Sequence, residues 1–163
     1  MQNNKTVTIG VIILLLLVLG VGYLLFTRDS GNEVFIEDEA GFASVSGDEN
    51  NSIIVNDQIP GGTVFFQNLT LESDGFVVVR SDNDGQPGDV MGSLFVEAGE
   101  DQTGNVELNT QTLEGGVYYA ELYEDSDANG SFDEALDTPV VTAGGSAVRV
   151  QIETTENLPE IKG

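Results

Sequence analysis

The chain has 163 residues, with 28 Asp and Glu against 5 Lys and Arg, no His and no Cys. A formal charge of −23 repels nucleic acid and anionic lipid. The missing residue types exclude Ser-His-Asp and Cys-His catalysis, the usual zinc sites and any disulfide framework, so the fold must rest on its core, with or without metal ions.

Residues 1–6 read as a short cytoplasmic head. Residues 7–26, VTIGVIILLLLVLGVGYLLF, carry no charge, and twenty helical residues span roughly 30 Å, the thickness of a bilayer's hydrocarbon core. Fifteen of the twenty are Val, Ile, Leu or Phe. No small-x-small cleavage pattern follows, because the run ends Tyr23-Leu24-Leu25-Phe26-Thr27-Arg28, so an uncleaved signal-anchor helix is expected rather than a processed leader. Lys5 and Arg28 nearly balance across it. A head this short next to a signal-anchor segment predicts the N-terminus inside and residues 29–163 outside the cell membrane.

All 28 acidic residues follow Arg28, against only Arg80, Arg149 and Lys162. Residues 27–51 are polar, acidic and Gly-containing and read as a flexible stalk. From residue 52, short runs of Val, Ile, Phe and Tyr alternate with Gly, Asn, Asp and Pro every 8 to 14 residues, the pattern of an all-β sandwich. The spacing predicts strands over 52–56, 63–71, 75–81, 90–96, 105–109, 117–124, 140–142 and 147–152. In the last, Val148, Val150 and Ile152 alternate with Arg149 and Gln151, as a half-buried strand requires. In 117–124 the better core face is Tyr118, Ala120 and Leu122, which puts Tyr119 and Tyr123 on the solvent side, where they could stack on a sugar. No apolar period of 3.6 persists after the anchor, so no long helix is expected there. The expectation is an Ig-like antiparallel β-sandwich of 7–8 strands over 52–152, preceded by one transmembrane helix and followed by a frayed tail over 153–163.

The most informative polar stretch lies at 125–137. Asp125, Asp127 and Asn129 occupy alternate positions, Gly130 allows a sharp turn, Ser131 offers a backbone carbonyl, and Asp133 or Asp137 completes an oxygen shell of the kind an EF-hand loop gives calcium. Alternate spacing wraps short carboxylates around one hard cation. Leu136 stands where the EF-hand's bidentate Glu belongs, and a strand precedes the loop, so the ion would sit between strands with an affinity of about 0.1 to 1 mM. An acidic turn capping its own backbone is the competing reading. Asp82, Asp84 and Asp89 form a second, weaker metal candidate in a stretch whose Asp-Gly and Pro-Gly are ordinary turn formers. Up-and-down strand parity puts the two loops at opposite ends of the sandwich. Asn50, Asn68 and Asn129 each open an Asn-x-Ser/Thr triplet.

The stretch 55–100, with Gly75-Phe76-Val77-Val78-Val79, Gly92 and Ala98-Gly99, followed by the loop Asp125-x-Asp127-x-Asn129-Gly130-x-Phe132-Asp133 and Asp137-x-Pro139-Val140, resembles an uncharacterised family of β-sandwich domains. That family occurs in membrane-anchored or secreted surface proteins of archaea and bacteria. The resemblance implies the fold and the surface location and no activity. Where the family often carries histidines, after the Val run and before the acidic loop, this chain has Arg80 and Tyr123.

The sequence therefore predicts a membrane-anchored, extracytoplasmic, non-enzymatic protein with a binding or envelope-structural role, stabilised by calcium. Its partner would be an envelope protein or a glycan. The alternative is an envelope-associated glycan-acting enzyme using carboxylates.

Overall fold

The computed structural model describes residues 43–158. The expected head, anchor and tether down to residue 42 lie outside the described residues, as do residues 159–163. Among the described residues no helix is long and apolar enough to cross a membrane.

Among the described residues, nine strands make two antiparallel sheets facing each other across one core. The first sheet has the order β1 (Ala43–Gly47), β2 (Ser52–Asn56), β3 (Thr63–Leu71), β6 (Gly99–Glu107). In the second, β5 (Pro87–Val96), β4 (Gly75–Asp82) and β7 (Val117–Glu124) lie side by side, and the far edge of β7 is shared by β9 (Arg149–Glu153) and the two-residue β8 (Thr138–Pro139).

Strand β3 shows how the sequence holds its register. Val64 and Phe66 point into the core, but so do Leu69 and Leu71, which are out of phase with them. Asn68, at φ 49, takes up the extra residue where the pairings with β2 and β6 both slip. Without this bulge a period of two would bury Asn68 and Thr70 instead of the two leucines.

Two ends of the domain depart from the sequence reading. Residues 43–47, placed there in the flexible stalk, pair with β2 as an edge strand. The tail expected from 153 instead completes β9 at Glu153, and Thr154 is buried, its hydroxyl donating to the carbonyls of Leu113 (2.5 Å) and Gly116 (3.3 Å).

The core contains Ile53, Val55, Val64, Phe66, Leu69, Val77, Val79, Val106, Ala120, Leu122, Val148, Val150 and Ile152. A second, smaller cluster of Phe76, Val78 and Tyr123 lies on the other face of the second sheet. Tyr119 and Tyr123, expected at the solvent side, are both buried. The sandwich therefore has one sheet covered on both faces, and the cover is the acidic loop.

Candidate metal centre over the outer sheet face

Register brings the ends of the loop together. Because Glu124 pairs with Thr138 across β7 and β8, the next residues outward, Asp125 and Asp137, meet at the sheet edge. The chain between them turns tightly through Ala128 (φ 56) and Gly130 (φ 70), which brings Asp127 back. The result is that carboxylate oxygens of Asp125, Asp127 and Asp137 lie within 4.8 Å of one another.

These carboxylates also hold the loop's backbone. Asp125 accepts the N–H groups of Asn129 (3.2 Å) and Gly130 (2.9 Å). Asp127 accepts the N–H of Asn129 (3.2 Å) and its side-chain amide (2.6 Å). Buried Asp137 spans the loop, one oxygen accepting from Ser126 N (3.2 Å) and the other from Asp133 N (2.7 Å). Each carboxylate oxygen has a second lone pair, so these bonds leave acceptor capacity for a cation. At Ca–O distances of about 2.3–2.6 Å, ligands on opposite sides of one calcium stand about 5 Å apart, so this trio fits a single ion.

Of the six residues read from sequence, three converge. Asn129 and Asp133 cap local N–H groups, Ser131 (2.6 Å) and Ala135 (2.9 Å) respectively, and Ser131 is exposed. The second candidate does not assemble. Asp84 (φ 55) and Gly85 (φ 80) are the two central residues of a tight hairpin closed by reciprocal bonds between Asn83 and Gln86 (2.7 and 3.2 Å). Asp82 accepts from Gly85 N (3.0 Å) and from the Tyr119 hydroxyl (3.1 Å), and Asp89 is exposed. The two loops do lie at opposite ends of β4, as strand parity requires, since Gly75 pairs with Glu124 and Ser81 with Tyr118.

Sequence reasoning missed what the loop covers. Phe132 packs edge-on against Phe76 (5.6 Å) and Tyr123 (5.0 Å), and Phe95 meets Phe76 from the other side (5.6 Å). Beside them Arg80 is buried. Its Nε lies 2.8 Å from Oε2 of Glu121, an ion-pair contact in which the N–H is not aligned on the oxygen. Its Nη1 donates to the Gly88 carbonyl (3.1 Å), and Nη2 donates to the Tyr123 hydroxyl (3.0 Å) and to Oε1 of Glu134 (2.6 Å). Burial works against the charge on Arg80, yet Glu134 and Tyr123 outweigh it and leave the guanidinium held above its ordinary pKa. Burial first, and Glu121 second, push the Tyr123 phenol up against the opposing pull of Arg80. The available signal was a single cation inside an apolar run of an otherwise acidic domain, which demands a buried acid partner. Arg80 and Tyr123, the two positions where the family resemblance expects histidine, are thus neighbours.

A family model described as a domain of unknown function, DUF7282, matches residues 51–155. No curated protein and no solved structure matches the chain.

Proposed function

This chain belongs to the DUF7282 family, and from that footing we propose that it is a membrane-anchored, extracytoplasmic Ig-like β-sandwich with a binding or envelope-structural role, stabilised by calcium at Asp125, Asp127 and Asp137. The observation that carries the reading is the convergence of three carboxylates on one loop of a domain that has no disulfide. Like charges at that spacing repel, and a divalent cation converts the repulsion into a tie between the β7–β8 edge and the loop. The cation's role is structural: it neutralises the trio and fixes the loop. The anchor at 7–26 supplies the membrane location, and the acid surface keeps the domain soluble beside it.

The test is a thermal unfolding curve of the full-length chain in EDTA and in millimolar calcium, alongside Asp125→Ala combined with Asp127→Ala. Calcium at ten times its Kd stabilises the native chain by about 1.4 kcal/mol and leaves the double variant unmoved. An identical melting temperature in both buffers refutes the calcium assignment.

A further inference from the structure

The three Asn-x-Ser/Thr triplets, at 50–52, 68–70 and 129–131, share the acceptor pattern for an N-linked glycan, and the fold treats each differently. A usable acceptor needs an unengaged carboxamide, a hydroxyl two residues on, and a backbone between them that a transferase can draw into its own cleft.

Asn129 lacks the first. Its Nδ2 donates to Asp127 (2.6 Å) and its Oδ1 accepts from Ser131 N (2.6 Å), so both ends of the carboxamide are engaged. Asn68 lacks the third. Its side chain is exposed, but Leu69 is completely buried, and β3 is paired on both sides, with Thr70 opposite Ser52 and Leu69 opposite Gln102. Drawing that triplet out would pull a leucine from the core.

Asn50 meets all three conditions. It sits in the turn that joins β1 to β2, closed by the bond from Asp48 N to the Asn51 carbonyl (2.8 Å). The Asp48 carboxylate accepts the N–H groups of Asn50 and Asn51 (both 3.1 Å), which orders the turn through its backbone and leaves the Asn50 side chain exposed. Among the described residues, neither the Asn50 carboxamide nor the Ser52 hydroxyl has a hydrogen-bond partner. Asn51 and Ser52 are half-buried, and neither belongs to the core. Drawing 50–52 outward breaks the end rungs Gly47–Ser52 and Ser52–Thr70 and the bond from Glu72 N to Asn51 (3.1 Å). Openings at the end of a ladder are among the least costly a fold offers.

We propose that Asn50 carries an N-linked glycan and that Asn68 and Asn129 stay bare. The inference rests on the extracytoplasmic placement of the domain proposed above. The donor is an oligosaccharide borne on a lipid phosphate, and the catalyst is a membrane transferase. Asn50 Nδ2 attacks C1 of the first sugar: the N–C1 bond forms, the C1–O bond to phosphate breaks, and the lipid phosphate leaves with the electron pair. The proton lost from Nδ2 passes to a base of the transferase, and nothing is oxidised or reduced. At this exposed turn the glycan extends into solvent and displaces no contact within the domain.

The test is peptide mapping by mass spectrometry of the full-length protein, solubilised from the membranes of the cells that make it. The peptide holding Asn50 is expected to be heavier than its sequence by a set of sugar residues, and those holding Asn68 and Asn129 are expected at their sequence masses. Asn50→Gln and Ser52→Ala are each expected to abolish the heavier form and its gel shift, and Ser52→Thr to keep it, with circular dichroism verifying the fold of all three. A bare Asn50 in protein whose domain is cleaved by protease added to intact cells overturns the glycan and leaves the surface placement standing. A bare Asn50 in protein whose domain is protected overturns both. A heavier form that persists in Ser52→Ala puts the sugar elsewhere and overturns the assignment.

Discussion

Removing Arg80 alone should cost far more than removing it together with Glu121. The side chains of Arg80 and Glu121 are only 7 % and 12 % exposed, so Arg80→Met leaves the Tyr123 hydroxyl without its donor and the Glu121 carboxylate desolvated with only the Tyr123 hydroxyl at 3.4 Å and Arg149 at 4.0 Å. Breaking a buried pair from one side costs about 3–5 kcal/mol, whereas replacing both members with apolar residues of similar volume is often neutral. For a domain of this size each kcal/mol lowers Tm by roughly 4 °C, so Arg80→Met is expected to melt about 12–20 °C below the native protein. Adding Glu121→Leu should recover most of that loss. Glu134→Ala, on the exposed side, should cost no more than about 1 kcal/mol. Circular-dichroism melts at one fixed calcium concentration give all four corners of the double-mutant cycle and the Glu134 control. A loss below about 1 kcal/mol for Arg80→Met, or a double variant no more stable than the single, would sink the argument that Arg80 and Glu121 stand as a buried ion pair.

Gly104 faces the core, and a Cβ there would lie 2.6 Å from Cζ of Phe66 and 3.0 Å from Cδ2 of Leu94, so Gly104→Ala should destabilise by about 1–3 kcal/mol in a denaturant titration. Asp48 accepts N–H groups from Asn51 and Asn50 and from Ala143 of a distant loop, which hold its carboxyl below the ordinary aspartate value of 3.8. Its stabilising effect is therefore fully present above about pH 3.8 and lost as pH falls through its lower folded value. Asp48→Asn should flatten that part of the acid-stability profile, and an NMR titration midpoint at or above 3.8 would contradict the assignment. The proposed anchor at 7–26 predicts retention in the membrane pellet after alkaline carbonate extraction, with the domain cleaved by protease added to intact cells. Release by carbonate, or protection of the domain, would refute the tether or its orientation.

Period-two alternation located the strands whose side chains do the packing. The ranges 52–56, 63–71 and 117–124 coincide with β2, β3 and β7. It failed where backbone pairing alone makes the strand. β6 begins at Gly99 rather than 105, through a Gly-Glu-Asp-Gln-Thr-Gly run that has no apolar residue and is held to β3 at Leu71–Gly99 and Leu69–Gln102. β1, Ala-Ser-Val-Ser-Gly, carries one apolar side chain of any size and reads as linker until Ile53 to Val55 offer it an edge. The same limit moved the short strand near 140 to Thr138–Pro139, where pairing with Tyr123 and Glu124 decides.

The candidate site was legible to the extent that it is local. Alternate spacing put Asp125 and Asp127 on one turn, but only the β7–β8 register, a pairing between residues 14 apart, chooses Asp137 over Asp133 as the third carboxylate. What covers the sheet is less local still. By position Phe132 is an apolar residue inside an acidic loop, and by alternation Tyr123 is a solvent-facing residue of β7. Each makes sense only when the loop is folded back, because a sheet with one wet face does not carry Phe76, Val78, Tyr119 and Tyr123 on it. The continuous burial of β4 from Gly75 to Arg80 was already present in the sequence as an unbroken apolar run. Such a run in an antiparallel sheet implies a second cover, and with no helix among the described residues to supply it, a loop bearing a spare aromatic is the segment able to do so. Arg80 then follows as the polar end of that covered face, and Glu134 as the residue that ties the cover down.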